Sequence, residues 1–251
     1  MAVTDPDIVV YGANVSPEDD VTTQIGGAIN TALELIFTDI SPAGKIEALS
    51  DGADTRDLMV TYYTAAGLKG TETKTLNGVT PVVFDATMDA IIKMLLSAGS
   101  GTRTVTVRKE SAGATLKVIG LNVTTVKRIF YEALSNPLSG ADKSVHEKFF
   151  FKNNSASNLN SASISKQADP LGLVTFALSG TLNDTGDNGV GNTRLVAPAG
   201  LTFDSTAKNV ANGGVLTAGA AQGGWAALSL PDGTDPADSS FTLRLSGISA
   251  P

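Results

Sequence analysis

The chain has 251 residues, with 18 Lys and Arg against 25 Asp and Glu, for a net charge of −7. It carries no Cys, so disulfides and thiolate metal sites are excluded, and its only His leaves His146 as the one residue through which a His-dependent nucleophilic centre could run. The acidic balance disfavours nucleic-acid binding by bulk charge.

Charged residues make up 17%, below the usual share of about 25%, and Gly reaches 26. With 42% hydrophobic residues the chain can build real cores, and its length fits one large or two ordinary domains. A membrane span needs about 18 apolar residues. The longest apolar cluster, residues 90–96, is short and is broken by Lys93. Met-Ala-Val-Thr-Asp-Pro-Asp at the start lacks the basic and apolar regions of a secretory leader. The expectation is a chain made in a cytosol, soluble there, with no membrane partner. The charge is uneven: residues 1–110 hold 8 basic and 15 acidic side chains (−7), and residues 111–251 hold 10 of each. That shift places a domain boundary near 110, with an acidic N-terminal β domain over 1–110 and a β-sandwich domain over 111–251.

In chain order, residues 8–12 read as a strand closed by Gly12, and the alternation around Leu33, Leu35 and Phe37 as another. Ile46 and Ala48 precede a Ser50-Asp51-Gly52 turn; residues 59–64 are β-branched and aromatic. Asn77-Gly78 is the strongest hairpin dipeptide, between residues 73–76 and 79–84. Met88, Ile91, Ile92, Leu95 and Leu96 fall at helical spacing, with Asp85 as a cap and Gly99 as a stop; a short buried strand is the competing reading. Residues 103–108 alternate as a strand, and 109–114 read as a linker. Further strands are expected around 116–126, at 146–152, 174–178, 195–197, 201–203, 215–217, 225–230 and 241–245. Polar loops are expected at 135–142, 153–163 and 183–192. Turn signals every 8–15 residues indicate an antiparallel sandwich or barrel, and the sandwich is the reading taken. The fold class is therefore mainly β: two antiparallel β-sandwich-like domains with at most one or two short helices.

The candidate chemistry is sparse. His146 could serve as a base or ligand, but Glu147 beside it on a strand points to the opposite face and is poorly placed to orient it. Ser163-x-x-Lys166 has the bare spacing of some acyl-enzymes without their other motifs. Carboxylates cluster at Glu18-Asp19-Asp20, at Asp184 and Asp187, and at Asp232, Asp235 and Asp238, yet none matches the spacing of a calcium loop. Neither Gly67-Leu-Lys-Gly70 nor the Gly186–Gly191 stretch forms a phosphate loop. In Lys148-Phe-Phe-Phe-Lys152, alternation gives a core strand with a basic outer face that could meet an acidic partner, including a neighbouring copy. Trp225 with Tyr62 or Tyr63 is the only aromatic platform on offer for a glycan, and Trp225 reads better as core. The residues identify no catalytic, cofactor-binding or metal site.

The whole-chain pattern says more than any site. It runs through Tyr11-Gly12-Ala13-Asn14, Pro17-Glu18-Asp19-Asp20, Gly26-Gly27-Ala28-Ile29, Phe37-Thr38-Asp39-Ile40 and Leu76-Asn77-Gly78-x-Thr80-Pro81 to residues 104–108. It continues through Lys148-Phe-Phe-Phe-Lys152-Asn153, Ala168-Asp169-Pro170, Asn192-x-Arg194, Ala197-Pro198-x-Gly200-x-Thr202-Phe203, Trp225-x-x-Leu228 and residues 241–247. This pattern resembles a family of virion structural proteins of tailed bacteriophages. The resemblance implies a non-enzymatic, cofactor-free particle component and does not settle head against tail; the expectation is a capsid decoration or cement protein, with a tail, neck or baseplate component as the rival. A carbohydrate-binding surface module is the reading from another class. The implied partners are copies of itself and the phage major capsid or tail proteins, with neither nucleic acid nor membrane. The implied location is the virion, after synthesis in the host bacterial cytoplasm. Contact through repeated interfaces suits such a scaffold.

Overall fold

The computed structural model describes residues 2–15, 24–98, 103–130, 142–233 and 240–249. Sixteen strands account for about half of them. In chain order they are β1 (Ile8–Val15), β2 (Gly26–Glu34), β3 (Ile46–Ser50), β4 (Asp57–Tyr63), β5 (Lys69–Thr75), β6 (Val82–Val83), β7 (Ala90–Leu96) and β8 (Val105–Lys109). There follow β9 (Thr115–Ile119), β10 (Thr125–Lys127), β11 (Lys143–Asn153), β12 (Leu159–Ala168), β13 (Val174–Leu182), β14 (Lys208–Asn209), β15 (Ala221–Leu230) and β16 (Thr242–Ser249). A single 3-10 turn (Asp5–Asp7) and one helical turn, α1 (Ala211–Gly214), complete the described elements. The mainly β, sandwich-like expectation holds. One pair departs from antiparallel order, since β10 runs parallel to β2.

The chain divides into two compact units, but not at residue 110. One comprises Met1–Asn30 with Glu132–Pro251, and the other Thr31–Tyr131. The physical reason is strand pairing. β8 and β9 are antiparallel neighbours from Val105↔Ile119 to Arg108↔Thr115, so a cut at 110 would split a hairpin. Residues 109–114 are its turn and not a linker: Lys109 N–H donates to the Ala114 carbonyl, and Ser111 and Ala112 take positive φ. The charge shift near 110 is an accident of the linear order. Counted by unit, the discontinuous one carries 7 basic and 15 acidic side chains (−8), and the continuous one 11 and 10 (+1).

In the continuous unit, a sheet ordered from the end of β2 through β10, β7 and β4 to β5 stands with a second sheet ordered β6-β3-β8-β9. Their inner residues form one core: Leu58, Val60, Ile91, Met94, Leu96 and Val126 from the first, and Ile46, Ala48, Val105, Val107, Leu116 and Ile119 from the second. Phe84 and Met88 are completely buried in it. The helical stripe over 88–96 is strand β7. It is central, paired with β10 on one side and β4 on the other, and Ile91, Ile92, Lys93 and Met94 are all buried. A strand covered on both faces loses the alternation of a half-exposed one, and its apolar run then imitates helical spacing. Asp85 caps no helix. Its N–H donates to Glu72 and its carboxylate pairs with Lys74 at 2.7 Å. Gly99, the expected stop, lies outside the described residues.

Asn77-Gly78 does form a tight turn, closed by Thr80 N–H to the Asn77 carbonyl, with Gly78 at φ 56. The strands on either side are not partners: β5 pairs with β4, and β6 with β3. The turn carries the chain from one sheet to the other.

In the discontinuous unit, β13, β15, β11, β1 and the start of β2 form one sheet, and β14, β12 and β16 a second. β11 is the central strand, paired with β15 from Lys143↔Leu230 to Lys152↔Ala221 and with β1 from Ile8↔Asn153 to Gly12↔Phe149. The expected strands at 195–197, 201–203 and 215–217 are loops, with Leu216 bridged singly to Leu159. The polar turn expected over 153–163 is shorter, because β12 begins at Leu159.

Candidate functional site

β11 carries four of the ionisable groups that the sequence singled out, His146, Glu147, Lys148 and Lys152. Its burial is nearly continuous from Val145 to Phe151, because β15 and β1 flank it. The basic outer face expected from alternation is absent at Lys148. That side chain is fully buried, and its ammonium is enclosed by four acceptors: Asp184 Oδ2 at 2.6 Å, the Gly27 carbonyl at 2.8 Å, the Gly186 carbonyl at 2.5 Å and, more distantly, the Asp184 carbonyl at 3.5 Å. The Phe150 and Trp225 rings lie 5.0 and 5.6 Å from Nζ. Burial pushes the Lys148 ammonium below its ordinary pKa, against the opposing pull of Asp184. Burial also pushes the Asp184 carboxyl up. Hydrogen bonds from Lys148, the Gly186 N–H and the Ser179 hydroxyl outweigh it and hold the group below the usual range.

The loop that supplies Asp184 is stitched to the start of β2. Gly27 N–H donates to the Gly186 carbonyl at 2.9 Å, and Asn188 N–H to the Ile25 carbonyl at 3.1 Å. The buried Asn188 side chain accepts from Ile25 N–H and donates to the Thr193 and Val196 carbonyls. Gly26 sits at φ 110, and a Cβ there would lie 2.7 Å from the Trp225 ring, so glycine is required both by conformation and by space.

His146 is two residues before Lys148 and is also buried. Its Nδ1–H donates to the Arg194 carbonyl at 3.2 Å, and its ring meets Phe203 edge-on at 5.3 Å between centroids. Burial is the main cause that pushes its pKa below the ordinary value, with the Arg194 charge adding to it. Glu147 faces away from His146, as expected, and pairs with the Arg194 guanidinium at 3.4 Å. The imidazole is thus engaged in anchoring the 188–203 loop.

The other candidates are dispersed. Ser163 Oγ meets Ser246 Oγ at 3.4 Å, whereas Lys166 Nζ binds Asp169 and the Val174 carbonyl, so the Ser-x-x-Lys pair does not converge. Trp225 is buried and offers no platform, and Tyr62 and Tyr63 are half-buried. Among the described residues no group of three His, Asp or Glu is placed to hold a metal ion. Glu18, Asp19, Asp20, Asp235 and Asp238 lie outside the described residues. Sequence reasoning missed the Lys148–Asp184 pair. The two sit 36 positions apart and are joined only through sheet order; the one available signal was a lysine flanked by apolar residues on a strand. No protein-family model matches this chain, and no curated protein matches it.

Proposed function

We propose that this chain is a non-enzymatic structural component of a tailed-bacteriophage virion, acting as a capsid decoration or cement protein. The observation that carries the reading is how the polar side chains are engaged. His146, Lys148, Asp184 and Arg194 each hold a strand to a loop, and Asn188 holds one loop segment to another. Side chains committed in this way build a rigid scaffold that presents loops, which suits work by fit against neighbours. The whole-chain resemblance points the same way, and the partners are then copies of this chain and the major capsid protein.

Copy number and position on the particle test this. Many copies spread over the head, and binding of the purified protein to empty shells, are the expected results. A few copies at one vertex would move the protein to the tail, neck or baseplate. Turnover of a glycan or peptide panel would overturn the non-enzymatic reading.

A further inference from the structure

We propose that Lys148 and Asp184 are a self-modification site, condensing into an intramolecular isopeptide bond that ties β11 to the loop after β13. The reactive groups are already in place. Nζ stands 2.6 Å from Oδ2, so the freed amine has only to shift from that oxygen onto the carboxyl carbon that carries it. The Lys148 side chain is wholly out of solvent, closed in by Phe150 and Trp225. Gly186 N–H donates to Oδ1 at 3.0 Å, where negative charge would collect in a tetrahedral intermediate, and Ser179 donates to Oδ2, the oxygen that leaves.

The stoichiometry closes within the pair. The ammonium passes one proton to the carboxylate, and the freed amine attacks Cγ. A C–N bond forms, the C–Oδ2 bond breaks, and a second proton from nitrogen departs with that oxygen as water. No oxidant, reductant or activating group enters the balance. The change gives up the bonds to Oδ2 and the Lys148 bond to the Gly186 carbonyl but keeps two others. The new amide N–H can donate to the Gly27 carbonyl, already 2.8 Å from Nζ, and the Gly186 carbonyl keeps the Gly27 N–H at 2.9 Å. Burial favours the uncharged amine, while the donors that keep Asp184 ionised oppose the first proton transfer. The reaction therefore follows folding. In a chain without Cys, the bond would constrain the unfolded state as a disulfide does.

Mass spectrometry of the full chain, held folded for several days and then denatured, tests the proposal. The expected mass is one water below that of the sequence, with a branched peptide joining the segments around Lys148 and Asp184 after digestion. That peptide separates the bond from dehydration at Asp51-Gly52 or Asp232-Gly233. Lys148→Arg should stay at full mass, and Asp184→Asn should lose ammonia in place of water. A folded wild-type chain with no branched peptide would overturn the proposal and leave a permanent ion pair, whatever water is lost at the Asp-Gly pairs.

Discussion

Glu47 on β3 and Arg108 on β8 face each other across the strand pair, 2.6 Å apart, and the same carboxylate receives the N–H groups of Ser111 and Ala112 at the β8–β9 turn. One buried side chain thus joins a cross-strand ion pair to the closure of a hairpin. Glu47→Ala should cost about 1–2 kcal/mol in urea unfolding, and Arg108→Ala less, because only the first frees the turn. Burial pushes the Glu47 carboxyl up, but the Ala112 N–H and Arg108 together hold it below 4.5. Its contribution is present above pH 4.5 and fades as pH falls through the lowered folded value. Wild type should therefore lose more stability than Glu47→Ala between neutral pH and acid.

His146 gives a second pH test. It is the only imidazole, so its proton resonances can be followed without assignment. The midpoint should fall below 6.5, chiefly because burial disfavours the imidazolium, and the nitrogen shifts should show the proton on Nδ1. A depressed folded pKa means that the unfolded chain binds the proton first. Stability is then complete above pH 6.5 and declines as pH drops through the folded value. His146→Gln should flatten that decline, and a midpoint at or above 6.5 would contradict the burial.

Glycines separate two kinds of cost. At Gly26, φ is 110 and a Cβ would meet the Trp225 ring at 2.7 Å; at Gly67, φ is 72 and nothing lies within 4 Å. Gly67→Ala should cost about 1–2 kcal/mol from backbone conformation alone. Gly26→Ala adds overpacking of about 1–3 kcal/mol and should show the larger drop in thermal midpoint.

The unit boundary can be tested with fragments. Residues 31–131 hold the whole of one core, from Ile40 to Val126. A 31–131 fragment should unfold cooperatively by circular dichroism. A 1–110 fragment lacks Leu116, Ile119 and Val126 along with β9 and β10, and should not.

Several elements were legible in the sequence because they are half-exposed. β8 runs buried, half-buried, buried from Val105 to Val107, and β13 does the same from Val174 to Phe176, as a strand with one wetter face must. β7 and β11 were misread in part for the opposite reason: flanked on both sides and covered on both faces, they carry no period that reports their geometry. Lys148 shows the limit most sharply. Alternation placed it on a face but could not say that the face was dry, since dryness comes from Trp225, Gly27 and Asp184, brought in by other parts of the chain. The boundary failed similarly, because charge counted along a line cannot register an insertion.

That insertion also sets an order of events during synthesis. β1 emerges first, yet its partner across Ile8↔Asn153 emerges only after the entire 31–131 unit. The continuous unit can close its core while β1 and the start of β2 are still waiting for β11. The discontinuous unit is completed last, by long-range pairing, which is the slow kind. A nascent chain that has emerged only as far as residue 140 would hold a finished continuous unit and a leading strand still without β11.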